Sequence, residues 1–222
     1  MESLILKRLT SLNPDLPKKF ENAFSKKTNL ADKYIGERKI NNHIESRNSL
    51  FPSKKAQCLI CLESNLERAH ALLLERNEEI DNYKTQSIKI YLNEKNYVVP
   101  DFLVKTNSRF EIHEIKANLS IISERQKIRF NLIQILLDHY SIKFRKFDQK
   151  NLPDLYQTNI LNHCYQRIRS GKINKYELIR AEAILSKNRV YSIKDIYEVL
   201  FKNDIPTYIG DYLIFYKRIL GF

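Results

Sequence analysis

The stretch YVVPDFLVKTNSRFEIHEIKANLS, running from Tyr97 to Ser120, constrains the fold more than any other part of the chain. Two short apolar segments, YVVPDFLV and RFEIHEIKA, flank the polar tetrapeptide KTNS. That pattern predicts two antiparallel strands joined by a turn near Asn107–Ser108. The strands must also accommodate Asp101, Glu114 and Lys116 within otherwise apolar runs. Side chains alternate along a strand, so Glu114 and Lys116 face the same way. Asp101 precedes Glu114 by 13 residues across the turn, and a hairpin can set the two carboxylates side by side. An edge strand with solvated charges would explain these residues blandly. The alternative is a shared face of two carboxylates and an ammonium.

The surrounding pattern favours the alternative. SNLERAHALLLERNE (Ser64–Glu78) reads as a helix with Leu66, Ala69, Leu72 and Leu73 on one face. Ser64 is its N-cap, with Glu67 three residues on, a capping-box spacing. IDNYKTQSIKIYL reads as a strand alternating at Ile88 and Ile90. IISERQKIRFNLIQILLDHY predicts a helix with apolar spacing at Ile121, Ile128, Leu132, Ile135 and Leu136, and SIKFRKFD predicts a closing strand. From Ser64 to Asp148 the order is therefore α-β-β-β-α-β, an α/β domain. The first helix would pack on the sheet and could bring Glu67 to Asp101 and Glu114.

Three segments follow from these shifts in pattern. Residues 1–55 read as a basic N-terminal arm, loosely structured, with at most a short helix in KKFENAFSKKTNLADKY and an extended stretch in GERKINNHIESRNSLFPSKK. Residues 56–150 carry the α/β core. Residues 151–222 form a C-terminal helical domain of four predicted helices, the first ended by Gly171 and the third capped by Ser192, with the boundary near Asn151–Pro153.

Charge indicates the partner. The chain carries a net +12, with 12 basic and 6 acidic residues in 1–55, 15 and 13 in 56–150, and 11 and 7 in 151–222. A near-neutral centre between basic flanks suits a carboxylate-bearing site between nucleic-acid-binding segments. With only 4 glycines and no G-x-x-x-x-G-K-[ST] or G-x-G-x-x-G pattern, a glycine-rich phosphate loop or Rossmann fingerprint is disfavoured. No apolar run approaches the roughly 20 residues of a membrane span, and MESLILKRLTSLNPDLPKKF lacks a signal-peptide core. A cytoplasmic protein without membrane partners is expected. Cys58, Cys61 and Cys164 suit a reducing compartment. The lone C-x-x-C of QCLIC lacks a second ligand pair for zinc, since His163–Cys164 is a poor one.

A carboxylate cluster binds hard cations such as Mg²⁺ through oxygen, with Mn²⁺ expected to substitute. Phosphodiester cleavage needs such an ion to polarise phosphate and activate water, and positive charge where the phosphate gains charge. The candidate set is Glu67, Asp101 and Glu114 around the metal, with Lys116 at the scissile phosphate. Arg125, Lys127 and Arg129, on the helix that follows, are candidate phosphate contacts. Tyr191, Lys194, Tyr208, Lys217 and Arg218 are candidate contacts to DNA or a partner. His113 precedes Glu114 and should point to the opposite face; His70, three after Glu67, is a candidate site neighbour.

VPDF followed by HEIKA resembles the PD-(D/E)xK nuclease superfamily, whose restriction-endonuclease-like core is α-β-β-β-α-β. Over residues 58–120 the chain more narrowly resembles the TnsA-type transposon endonucleases. The matching elements are Glu63-Ser64-Asn65-Leu66-Glu67, Gln86, Pro100-Asp101-Phe102 and Glu114-Ile115-Lys116. The resemblance implies Glu67 rather than Glu63 as the metal-side acid, Asp101 and Glu114 as further ligands, the Ile115 carbonyl as a helper, and Lys116 as the catalytic lysine. It also implies a C-terminal winged-helix-like domain. The implied activity is Mg²⁺-dependent cleavage of the non-transferred strand at the 5′ ends of a transposon, on double-stranded DNA. A TnsB-type DDE transposase and a TnsC-type AAA+ ATPase are the implied partners. Another nuclease of the superfamily (junction resolvase, phage or restriction type) and a catalytically inactive DNA-binding assembly module are the rival expectations.

Overall fold

In the computed structural model, which describes residues 2–25, 49–168, 173–188, 190, 192–217 and 219, the hairpin is present but its strands are shorter than the apolar runs. In chain order the elements are α1 (Glu2–Leu12), α2 (Leu16–Ser25), β1 (Ser49–Ser53), β2 (Cys58–Leu62), α3 (Asn65–Arg76), β3 (Ile80–Thr85), β4 (Ile90–Tyr91), β5 (Tyr97–Val98), β6 (Phe102–Thr106) and β7 (Phe110–Ile115). A 3₁₀ turn at Leu119–Ile121 leads into α4 (Glu124–His139) and β8 (Lys143–Phe147). Four helices follow: α5 (Leu155–Ile168), α6 (Lys175–Lys187), α7 (Ile193–Lys202) and α8 (Thr207–Lys217). The chain divides into two compact units, Met1–Leu152 and Pro153–Phe222.

The first unit is mixed α/β, built on a four-stranded sheet of order β3-β6-β7-β8. β3, β6 and β7 run antiparallel in turn, and β8 lies parallel to β7, so α4 is the crossover between them. Two expected strands are each broken in two. The run from Ile80 ends where Gln86 adopts a φ of 47°, a left-handed conformation that leaves the strand. The run from Tyr97 breaks around Pro100, which has no N–H to give a ladder. The outer fragments, β4 and β5, pair with each other as a separate ribbon, Ile90 opposite Val98 and Tyr91 opposite Tyr97.

Alternation assigns the two faces of the sheet. Leu103 and Ile112 join one core with Phe130, Ile133, Leu136 and Leu137 of α4, and with Leu9, Leu16 and Phe20. The expectation of a loose arm at the N-terminus is therefore corrected for residues 2–25. They form two helices whose apolar side chains close this core, each stabilising it by roughly 1.5–3 kcal/mol. Phe20 meets the Phe110 ring edge-on at 5.7 Å and Phe24 stacks on it at 5.8 Å. The extended stretch expected over 36–55 lies mostly outside the described residues; its end forms β1, paired with β2. The other face of the sheet packs α3, whose His70 ring lies 4.9 Å from Phe102 and 4.4 Å from Phe147.

The inward face of α4 also differs from expectation. Ile121 is 80% exposed and Ile128 is exposed, while Phe130, Ile133 and Leu137 are buried with Leu136. The helix start accounts for Ile121. Ser123 accepts from the Gln126 N–H in a capping box, so α4 begins after Ile121 rather than running through it.

One buried amide joins the N-terminal helices to the ribbon. The Asn13 side chain donates to the Leu9 and Tyr91 carbonyls at 2.9 and 2.8 Å, and accepts from the Tyr91 N–H at 2.9 Å. It acts as a strand partner for β4. Replacing Asn13 by alanine orphans both Tyr91 backbone groups and is expected to cost about 2–3 kcal/mol, read as a lower urea midpoint at unchanged slope.

The second unit is helical, and no strand forms among its described residues. Fully buried Asp211 of α8 accepts from Arg167 Nε of α5 at 2.6 Å and from the Tyr197 hydroxyl of α7. Arg167 also donates to Thr207 Oγ1 at 2.7 Å, so one carboxylate ties three helices together. Gly210 lets α8 approach α7: a Cβ there would lie 2.9 Å from Leu200 Cδ1 and 3.0 Å from Ile196 Cγ2.

Candidate active site

Asp101 sits in the bend after Pro100, one residue before β6, while Glu114 lies near the end of β7 and Lys116 one residue beyond it. Because β6 and β7 pair with Phe102 opposite His113, Asp101 falls beside Glu114 and Ile115. Its Oδ2 accepts from the Ile115 N–H at 2.7 Å, and its own carbonyl accepts from the Gln86 N–H at 3.1 Å. The left-handed turn at Gln86 thus fixes the backbone of Asp101 from the other side. Lys116 Nζ lies 2.7 Å from Glu114 Oε1, 3.6 Å from Asp101 Oδ2 and 3.0 Å from the Ile115 carbonyl. Glu114 Oε2 is buried and has no hydrogen-bond partner.

These three side chains line a cavity of about 470 Å³. Gln126, Arg129, Phe130 and Ile133 of α4 form one side of it, and Tyr97, Val98 and Val99 another. Two carboxylates face one ammonium, leaving the cluster short of positive charge. Burial pushes both carboxyls up; at Asp101 the Lys116 charge opposes the rise, and at Glu114 the Asp101 charge adds to it. Burial lowers Lys116, but Asp101 and Glu114 outweigh it and hold the ammonium above its usual range.

Glu67 is buried at the start of α3 and is already engaged. Its Oε2 accepts from the Glu63 N–H at 2.9 Å and its Oε1 from the Ser64 hydroxyl at 3.2 Å, while Ser64 Oγ accepts from the Glu67 N–H at 3.1 Å. Burial pushes its carboxyl up to about 7, and the Asp101 charge contributes. So Glu67 stands within electrostatic reach of Asp101 but outside the residues lining the cavity. Among the described residues, no group of three or more His, Cys, Asp or Glu side chains is placed to hold a metal ion.

The other sequence candidates separate clearly. Of the three α4 cations, Arg129 lines the cavity; Arg125 and Lys127 are exposed, and Lys127 pairs with Glu124. Gln86 contributes through its backbone. In the second unit Lys194 is exposed and 3.7 Å from Glu198, Lys217 is exposed in the last turn of α8, and Tyr208 is half-buried. Tyr191 and Arg218 lie outside the described residues.

His113 points to the opposite face of β7 from Glu114, as alternation requires, and there joins a buried polar chain that sequence reasoning missed. Its Nε2 lies 3.0 Å from Glu111 Oε2 and its Nδ1 2.9 Å from His70 Nε2. Arg145 and Arg109 hold Glu111 from outside at 2.6 and 2.9 Å. A carboxylate can only accept, so the network assigns the proton to His113 Nε2, and His70 Nε2 then donates to His113 Nδ1. His70 therefore belongs to this chain behind the sheet rather than to the cavity. The spacing of Glu111 and His113, two apart in a strand, was the available signal.

No protein-family model matches the chain, and no curated protein is similar to it. Fold and site define a mixed α/β protein with a mixed sheet flanked by helices, a helical C-terminal region, and a carboxylate–lysine cluster opening into a cavity. Among the described residues no helix is long and apolar enough to cross a membrane.

Proposed function

We propose that this protein is a Mg²⁺-dependent DNA endonuclease with a restriction-endonuclease-like core of the PD-(D/E)xK type. The observation that carries the reading is the convergence of Asp101, Glu114 and Lys116 from two adjacent strands at one cavity, with Glu114 Oε2 buried and unpaired. A buried, unpaired carboxylate oxygen is costly unless a cation completes it. The oxygen-only donor set of Asp101, Glu114 and the Ile115 carbonyl suits a hard divalent ion. Glu67, with both oxygens engaged in capping α3, would act from behind that set by its charge. The ion, when bound, supplies polarisation of a phosphate oxygen and a more acidic water.

The chain's own residues do the rest. Asp101 and Glu114 hold the cation side of the site. Lys116 donates to the phosphate oxygen that gains charge. Arg129, across the cavity, meets a non-bridging oxygen and orients the strand. The net +12 charge draws the polyanion in.

The resemblance at Glu63–Glu67, Pro100–Phe102 and Glu114–Lys116 extends the reading to the subunit that cuts the non-transferred strand at the 5′ ends of a transposon. In that reading it works with a TnsB-type transposase and a TnsC-type ATPase, and the helical unit is a winged-helix-like DNA or partner contact. The test is cleavage of an end-labelled transposon-end duplex with Mg²⁺, with and without the cognate transposase, for wild type and Asp101→Ala. Cutting that needs the transposase and disappears in the variant supports the whole reading. Cutting without the partner reduces it to a stand-alone nuclease, and binding without cutting under every combination sinks the enzyme.

A further inference from the structure

The β4–β5 ribbon places an aromatic ring beside the carboxylates, and neither the resemblance nor the proposed chemistry uses it. Tyr97 is 46% exposed, yet it stands on an anchored base. Its neighbour Val98 and the paired Ile90 are buried in the core, and the adjoining Tyr91 backbone is held on both sides by Asn13. The ring lines the same cavity as Asp101, Glu114 and Lys116. Lys89 Nζ lies 5.1 Å from its centroid, and the Tyr91 ring is 5.8 Å away, tilted by 59°.

A large aromatic standing at a cavity edge on an anchored backbone costs exposed apolar surface in the free protein. It gains when a flat, apolar ligand covers it. A cation beside it and Arg129 across the cavity select a flat ligand that carries an anion. A nucleobase with its own phosphate meets both requirements. A base within a duplex offers no free face, so the ligand must be unstacked. The cavity, at about 470 Å³, falls within the range of small-molecule sites.

We propose that Tyr97 and Lys89 form a binding subsite for one unstacked nucleotide next to the scissile phosphate, so that the preferred DNA is unpaired or opened at the cleavage position. Tyr97 stacks on the base, and Lys89 meets its phosphate. The proposal rests on the nuclease reading.

The test measures fluorescence anisotropy of full-length protein with a fluorescein-labelled oligothymidylate and a blunt duplex of equal length, in EDTA so that nothing is cut. Tyr97→Ala, Tyr97→Trp and Lys89→Ala are compared with wild type, and circular dichroism checks the fold. Stacking on one base is worth roughly 1–3 kcal/mol, so Tyr97→Ala should weaken single-strand binding about tenfold or more. Duplex binding should hardly change, and Tyr97→Trp should restore affinity. Lys89→Ala should lower the salt dependence of single-strand binding by about one phosphate contact. Equal affinity of Tyr97→Ala and wild type for the single strand overturns the subsite and leaves the nuclease reading standing. An equal loss on both DNAs also overturns it, since the ring would then be a general surface contact. No binding of either DNA by wild type overturns the subsite, and cleavage of the transposon-end duplex with the transposase then decides the nuclease reading separately.

Discussion

Replacing Lys116 by methionine is expected to lower single-turnover cleavage on the order of 10²–10³-fold, the usual cost of removing one preorganised donor to a developing charge. Methionine keeps the apolar stem and removes only the ammonium. The geometry sets the size of the effect. Lys116 Nζ lies 2.7 Å from Glu114 and 3.6 Å from Asp101, and it is the cation that offsets two buried carboxyls. Without it, burial and mutual repulsion push Asp101 and Glu114 further up, which disfavours their ionised forms. The substitution therefore removes a phosphate donor and weakens the anionic pair that would hold a cation. The check is cleavage of the labelled transposon-end duplex under the conditions at which wild type cuts, with far-UV circular dichroism to confirm the fold. A wild-type rate in Lys116→Met would remove this lysine from the chemistry.

The second large effect lies behind the sheet. Glu111→Ala is expected to destabilise the first unit by about 3 kcal/mol near neutral pH. Glu111 is 2% exposed and receives His113, Arg145 and Arg109. Both arginines reach solvent and can rehydrate. His113 cannot, and its Nε2 proton would be left buried without an acceptor.

The pH dependence carries a further signature. Burial pushes the Glu111 carboxyl up, but the hydrogen bonds from His113 and Arg145 outweigh it and hold it at about 2. A group held below its unfolded value contributes stability above that value, here about 4.5, and loses it as pH falls toward 2. His70 and His113 act at higher pH. Burial pushes both down, so they stay neutral in the fold while the unfolded chain protonates below about 6.5, and stability falls as pH drops through that window. Between about 7 and 4.5 the histidine loss is opposed by Glu67, whose carboxyl is held up at about 7 and so gains stability on protonation, and the clear weakening of wild type is expected below 4.5. Glu111→Ala should start lower at neutral pH and lack the weakening below 4.5. Urea melts across that range read both, and wild-type stability in the variant at neutral pH would refute the account.

The two effects sit on opposite faces of one strand, and that arrangement was legible in part. The period of two placed Glu114 with Lys116 and turned His113 away from them, because strand alternation is a local property of the backbone. The C-terminal helices and the cap at Ser64 were readable for the same reason: helix signals depend on residues within one turn. Arg129 could not be told from Arg125 and Lys127, since all three are exposed cations in the first half of one helix. Which of them faces the cavity depends on how α4 rotates against Ile112 and Leu103.

From the sequence alone came the hairpin, the order of the helices and the four strands of the main sheet from Ser64 to Asp148 though not the β4–β5 ribbon, the change in pattern after residue 150, and the two acids and one base at the centre. Each rests on spacing within a few residues. The tertiary structure alone decided that residues 2–25 close the core, and that the fragments freed where Gln86 and Pro100 break two long strands pair as the Tyr97 ribbon. It alone decided that Glu111, His113 and His70 form one buried chain. These depend on contacts between residues far apart in sequence, such as Asn13 with Tyr91 and His70 with His113. No local period encodes such pairs, because they exist only once apolar burial has set the helices against the sheet.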